Sequence, residues 1–241
     1  MTAIVGYADM LAETQCASGE RVESATTIRR HADQLLTIID DLLDISKLEA
    51  GRMTFERESF SPRDMTLEVV SLLHVRAEGK NLRLAAEFPG ALPAAIESDP
   101  LRLRQILLNL VGNAIKFTET GEVRISVSMA AGPASHVPQI SFEVTDTGIG
   151  MSAEVLQNLF DCFRQGDMSA KRRFRGIGLG LAISKRLARI LGGDITVTSS
   201  PGMGSTFRLV IPARLPTPEL ATPILESKSS AGHIPIAALA E

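Results

Sequence analysis

"QILLNLVGNAIKFT", residues 105–118, carries two periodic patterns at once. Gln105, Asn109 and Asn113 recur every fourth residue and share one face of a helix. Leu107, Leu108, Val111 and Ile115 supply the opposite, apolar side. Asp99 and Pro100 stand just ahead as cap and first-turn proline, so the spacing predicts a helix over 101–117. Neutral amide oxygens ligate Mg²⁺, and Lys116, one turn beyond Asn113, is placed to meet a phosphate. A plain solvated polar face explains this one stretch equally well.

Beyond this helix, "EVRISVSMA" (122–130) and "QISFEVTD" (139–146) alternate apolar and polar residues. They read as two strands of a hairpin whose loop contains Gly132, Pro133 and Pro138. Residues 152–158 suit a short helix, 160–178 a glycine-punctuated polar loop, and 180–191 another helix. "DITVTSS", a turn at Pro201-Gly202 and "STFRLVIP" close as a second hairpin. Ahead of the central helix, "MTFERESFS" reads as a short strand or connector. Ser61-Pro62 start a helix reaching about Glu78, and "NLRLAAEF" and "AIESD" read as strands. Strands interspersed with helices on one face predict an α+β sandwich over 52–212.

Residues 1–51 differ. Residues 2–15 and 22–49 read as helices joined at Ser18-Gly19, with Gly51 as a C-cap. Ile28, Leu35, Ile38, Ile39, Leu42 and Ile45 form a stripe. A lone helical hairpin leaves that stripe bare, and pairing with a second copy into a four-helix bundle covers it. Residues 213–241, rich in Pro, Ala, Ser and Thr, read as a linker or frayed end.

Composition narrows the function. Apolar residues make up 44% of the 241, enough for a packed core and against global disorder. The net charge of −3 excludes a basic nucleic-acid-binding stripe. Cys16 and Cys162 form neither a metal spacing nor a disulfide framework, which suits a reducing, cytoplasmic setting. The apolar runs fall short of the roughly 20 residues that span a bilayer, so no membrane contact is expected of this segment.

Three further stretches bear on chemistry. "DTGIG", Asp146 to Gly150, directly follows a strand. Asp146 there can accept from an exocyclic amine, and Gly148 and Gly150 let a ligand approach the backbone closely. A simple glycine turn is the alternative. "RGIGLGLAI", residues 175–183, runs Gly176, Gly178 and Gly180 into a helix N-terminus at Leu181, an arrangement that cradles phosphate. A dinucleotide fingerprint needs a preceding strand; the polar loop with Lys171, Arg172, Arg173 and Arg175 rules it out, and no G-K-[ST] marks a P-loop. "GMGSTF", residues 202–207, alone is only a hairpin turn.

In their order, these stretches resemble the asparagine box and the three glycine boxes of the histidine-kinase ATP-binding domain. "LFDCFRQGD", with Phe160 and Phe163, resembles its phenylalanine box. The resemblance covers about Thr2 to Pro212 and implies a Bergerat-type ATP site of the GHKL superfamily. It implies that Asn109 and Asn113 meet Mg²⁺ and the phosphates of ATP and that Lys116 meets phosphate. It implies that Asp146 reads adenine N6, with Thr206 nearby through water, and that Phe160 to Gly178 forms a lid over ATP. Arg173 or Arg175 reaches the γ-phosphate or else belongs to a solvated basic loop. Superfamily ATPases carry a glutamate base where Asn109 stands, and Asn109 cannot deprotonate water, which favours phosphoryl transfer over hydrolysis. One departure is Ile177, where the second glycine box often has threonine.

The N-terminal hairpin resembles the family's dimerisation and phosphotransfer domain just after its histidine box. The resemblance implies a homodimer, and an acceptor histidine in an H-E-x-R-T-P motif a few residues upstream of Met1. Met1 then reads as an internal methionine of a longer, membrane-anchored or soluble kinase. His31, His74, His136 and His233 all lack the following acid and R-T-P. The expected function is the ATP-binding catalytic core of a two-component sensor kinase, serving a response-regulator receiver domain. A non-catalytic ATP-binding dimerisation module and a GHKL ATPase are the rivals.

Overall fold

The computed structural model describes residues 21–22, 24–29, 31–32, 35, 39, 43, 46, 54–130, 137–161 and 179–216. Every described residue between 21 and 46 is helical, as the stripe predicts. Within this segment Ile28 and Leu35 are half-buried, and Ile39 and Leu43 are exposed. The expected first helix, residues 2–15, and the turn after it lie outside the described residues.

From residue 54 the chain forms a sheet with helices on one face. The strands are β1 (Glu58–Phe60), β2 (Arg83–Glu87), β3 (Ile96–Ser98), β4 (Glu122–Ala130), β5 (Gln139–Asp146), β6 (Asp194–Ser199) and β7 (Ser205–Pro212). The helices are α1 (Pro62–Glu78), α2 (Pro100–Phe117), α3 (Ala153–Gln157) and α4 (Gly180–Ile190). Five strands form one mixed sheet in the order β2-β4-β5-β7-β6, in which only β2 and β4 run parallel. β1 and β3 pair separately, and Glu97 N of β3 donates to Arg214 O at 2.7 Å.

Local chemistry sets the helix ends. Ser61 Oγ accepts Asp64 N at 3.2 Å and Asp99 Oδ1 accepts Arg102 N at 3.0 Å, so both helices start with a side-chain cap followed by proline. α1 buries Met65, Val69, Leu73 and Ala77, one residue per turn. α2 buries Leu103, Ile106, Leu107, Leu110, Val111 and Ala114, between the sheet and its neighbours α1 and α4. Asn81 takes a positive φ of 55°, and β2 therefore begins at Arg83 rather than at Asn81.

The sheet obeys the two-residue period. Val123, Ile125 and Val127 of β4, Ile140, Phe142 and Val144 of β5, and Phe207, Leu209 and Ile211 of β7 enter the core. The other face carries ion pairs across strands, Arg124 with Glu87 at 3.4 Å and Arg208 with Glu143 at 3.1 Å. Phe55 and Phe60 pack on the same core, so the unit takes in the chain from residue 55. No helix among the described residues is long and apolar enough to cross a membrane.

The C-terminus of α2 is closed by a lysine from elsewhere in the chain. Lys80 Nζ donates to the carbonyls of Ile115, Lys116 and Thr118 at 2.7, 2.8 and 3.0 Å. A cation there also complements the negative end of the helix dipole. Lys80→Met should lower stability by about 1–3 kcal/mol, the usual cost of losing hydrogen bonds from a charged donor. Urea unfolding would measure it; an unchanged midpoint would show that the carbonyls are satisfied without it.

Candidate functional site

The polar row of α2 faces α4, and the two helices pack closely. Asn109 and Asn113, one turn apart, are hydrogen-bonded to each other: Asn113 Nδ2 donates to Asn109 Oδ1 at 3.2 Å. Asn109 Nδ2 in turn donates to Ser184 Oγ of α4 at 2.8 Å. Gly180 opens α4 against Asn109, where a Cβ would fall 2.6 Å from Asn109 Oδ1. Leu179, the N-cap of α4, makes no side-chain capping bond, so the first N–H groups of the helix are not capped in that way. Leu181 is half-buried against the core. Gln105, the third amide of the row, accepts from Arg102 Nη1 at 3.2 Å.

Lys116 extends the row. Burial pushes its ammonium below the ordinary lysine value. Its Nζ lies 4.9 Å from the Phe117 ring centroid, and no carboxylate among the described residues pairs with it. A half-desolvated cation without a counter-charge favours an incoming anion.

Asp146 ends β5 and is 6% exposed. Burial pushes its carboxyl pKa up, against hydrogen bonds from the Gly148 backbone and from the backbone and side chain of Ser205 that pull it down. Gly148 N donates to Asp146 Oδ1 at 2.8 Å. Ile149 N donates to Phe117 O at 3.3 Å, tying this loop to the end of α2. A Cβ on Gly148 would lie 2.5 Å from that same Phe117 carbonyl oxygen. Gly202 N donates to Ile149 O at 2.8 Å, joining the first and third glycine stretches. Ser199 completes the join: its Oγ accepts Met151 N at 2.9 Å, donates to Gly204 O at 2.8 Å and lies 3.0 Å from Ser205 Oγ.

The structure does not bring Thr206 to Asp146. Its hydroxyl lies 3.1 Å from Thr145 Oγ1 and pairs across β7 and β5. Side chains alternate faces along a strand, so Thr206 and Asp146 project to opposite sides. The residue beside Asp146 is Ser205, its register partner. Ser184 and Ser199 were also missed by the sequence reading. A serine inside a helical stripe and another at a strand end carry no local signal, because their partners are remote in sequence.

Phe160, partly buried on the core, lies under Lys185 Nζ, 4.9 Å from its ring centroid. Lys185 also bonds Asp194 at 2.7 Å, binding α4 to β6. Phe163, Arg173, Arg175, Gly176 and Gly178 lie outside the described residues.

The donor set fits Mg²⁺. No group of three or more His, Cys, Asp or Glu residues among the described residues is placed to hold a metal ion. The site instead offers an amide oxygen at Asn113 and, three residues on along α2, the half-buried Lys116. Mg²⁺ is usually held by one or two carboxylates completed by phosphates and water, and here an amide oxygen would stand in for the carboxylate. The arrangement therefore has a buried hydrogen-bond acceptor at Asp146 and an amide oxygen and a half-buried ammonium at the Asn113–Lys116 end.

Residues 98–215 match the family described as "Histidine kinase-, DNA gyrase B-, and HSP90-like ATPase", and residues 1–51 match "His Kinase A (phospho-acceptor) domain". The chain is 42% identical over 207 residues to the signal transduction histidine-protein kinase BarA of Escherichia coli, covering 86% of this chain and 22% of BarA. It is 35% identical over 241 residues to the sensory/regulatory protein RpfC of Xanthomonas campestris, covering all of this chain and 32% of RpfC. The chain thus spans less than a third of the length of these relatives. Among solved structures, full-length ShkA in complex with AMPPNP superimposes with a TM-score of 0.71 at 32% identity, covering 90% of this chain and 44% of ShkA. The catalytic domain of ThkA superimposes with a TM-score of 0.55 at 25% identity, covering 66% of this chain and 99% of that domain. With both family matches in the expected order, Gly180 set against Asn109 and the first and third glycine stretches bonded to each other, the chain belongs to the histidine kinases.

Proposed function

We propose that this chain is the ATP-binding catalytic core of a two-component sensor kinase, transferring the γ-phosphoryl of ATP to a histidine for relay to a response-regulator aspartate. The observation that carries the reading is the pairing of two ends: a buried acceptor, Asp146, and an amide–lysine end at Asn113 and Lys116. The AMPPNP bound to ShkA supports nucleotide as the ligand. The names of BarA and RpfC support a role in signalling.

In this reading Asp146 accepts from the exocyclic amine of adenine. Lys116 and the N-terminus of α4 draw the phosphates, and Asn113 contributes an oxygen to Mg²⁺, which neutralises phosphate charge when bound. Catalysis of phosphoryl transfer is largely positioning and charge neutralisation, for which these groups suffice. Asn109 has no carboxylate to activate water, and its amide is already taken up by Asn113 and Ser184, which favours a kinase over an ATPase. Arg175 and the glycines at 176 and 178 complete the phosphate end. Residues 1–51 pair with a second copy, the catalytic unit runs from about residue 52 through Arg214, since Ala213 is buried and Arg214 pairs with Glu97, and the stretch that follows is a linker. The unit works in the cytoplasm, where ATP is.

None of the four histidines is followed by an acid and R-T-P, so the acceptor is a histidine other than these. The test is to incubate the chain with γ-labelled ATP and Mg²⁺, alone and with a homologous helix bearing the H-E-x-R-T-P motif. Acid-labile label on the added helix alone is the expected result. Bound nucleotide without any label would instead make the chain a non-catalytic ATP-binding dimerisation module. Label on the chain by itself would place the acceptor at His31 or another internal histidine.

A further inference from the structure

The two asparagines of α2 do not present equivalent groups. Asn109 has both ends engaged, Nδ2 by Ser184 Oγ and Oδ1 by Asn113 Nδ2. Asn113 has only its Nδ2 engaged, and no hydrogen bond among the described residues reaches its Oδ1. An amide NH₂ donates and does not accept, so the direction of this relay decides which atom of Asn113 faces outward. Reversed, the relay would leave an NH₂ there, which repels a cation.

Two features fix the direction. The Asn109 amide oxygen lies against Gly180, the first residue of α4, in the space that a Cβ would fill. The positive end of the helix dipole at that position favours an oxygen over an NH₂. Ser184, one turn along α4 and 2% exposed, then receives the Asn109 Nδ2. Without that hydroxyl the half-buried Asn109 NH₂ would lose its acceptor on α4, a loss that rotation of the amide relieves.

We propose that Ser184 is a positioning residue for the metal end of the site: by accepting Asn109 Nδ2 it fixes both amides and turns Asn113 Oδ1 outward as the oxygen offered to Mg²⁺. The inference rests on the nucleotide-site reading of this face. Ser184 itself touches neither nucleotide nor ion.

The test compares the full chain with Ser184→Ala and Ser184→Thr, each first checked by thermal melting. In the absence of ligand, side-chain NH₂ resonances of Asn109 and Asn113 report the relay directly by their hydrogen exchange. Mn²⁺ titration in the presence of AMPPNP, and AMPPNP binding without metal, report its consequence. For Ser184→Ala we expect faster exchange at both amides and roughly tenfold weaker Mn²⁺ binding, the usual effect of removing a group that orients a ligand. Metal-free AMPPNP binding stays at the wild-type level, and Ser184→Thr restores both signals. Unchanged exchange, or unchanged Mn²⁺ affinity in Ser184→Ala, overturns the proposal and leaves Ser184 a packing residue. If the wild type binds no AMPPNP, the nucleotide reading fails instead, and the ligand-free exchange rates still decide whether the relay exists.

Discussion

Asp146→Asn should weaken ATP binding about 10- to 150-fold, the equivalent of one hydrogen bond to a charged acceptor. The substitution is isosteric, so the fold survives it. Gly148 N donates to Oδ1 and would hold the amide oxygen of the new side chain in that place. The NH₂ is then the atom that faces Ser205 and the base. Two donors would meet where adenine offers its exocyclic amine, whereas a 6-oxo purine would find a partner. Titration with ATP and GTP separates the cases. A loss for ATP with an unchanged or improved GTP affinity is the expected pattern. Equal losses for both would mean that Asp146 acts by holding the loops, not by reading the base.

Gly150→Ala should cost about 2–5 kcal/mol of stability, combining the penalty of a left-handed alanine with that of overpacking. Gly150 has a φ of 63°, and a Cβ there would lie 1.9 Å from Ser200 O, a backbone atom that cannot swing aside. The same displacement would pull Ile149 from its bonds to Phe117 and Gly202, so nucleotide affinity should fall with stability. Gly112→Ala is the control. Gly112 sits inside α2, and a Cβ there would meet nothing within 4 Å, so alanine should stabilise by up to about 1 kcal/mol. Urea unfolding of both variants checks the contrast; a mild effect at Gly150 would show that the Ser200 turn yields.

Much of this was legible in the chain itself. The caps at Ser61 and Asp99, each followed by proline, located the starts of α1 and α2, since capping is a contact between residues three apart. The alternation in 122–130 and 139–146 located β4 and β5, since a half-buried strand shows its face in its own sequence. The asparagine row and Asp146 stand out in the sequence because motif spacing is local too. What was hidden is long-range. Ser184 is 75 residues from Asn109, and Lys80 is 35 to 38 residues from the carbonyls it caps. The choice between Ser205 and Thr206 turned on strand register, where a single step reverses the face. Either hydroxyl satisfies the sequence, and only pairing with Asp146 tells them apart.

The zipped turns around Ser199 have a thermodynamic consequence for ligand discrimination. Asp146 already has its orientation set by Gly148 and Ser205, and the loops beside it are bonded to one another through Ser199, Ile149 and Gly202. A base entering this socket meets an acceptor that loses little conformational freedom on contact. Preorganisation of that kind keeps the ordering entropy of binding small. Adenosine, ADP and ATP therefore draw nearly the same free energy from the base end. The differences among their affinities become a direct gauge of what the Asn113–Lys116 end contributes, phosphate by phosphate.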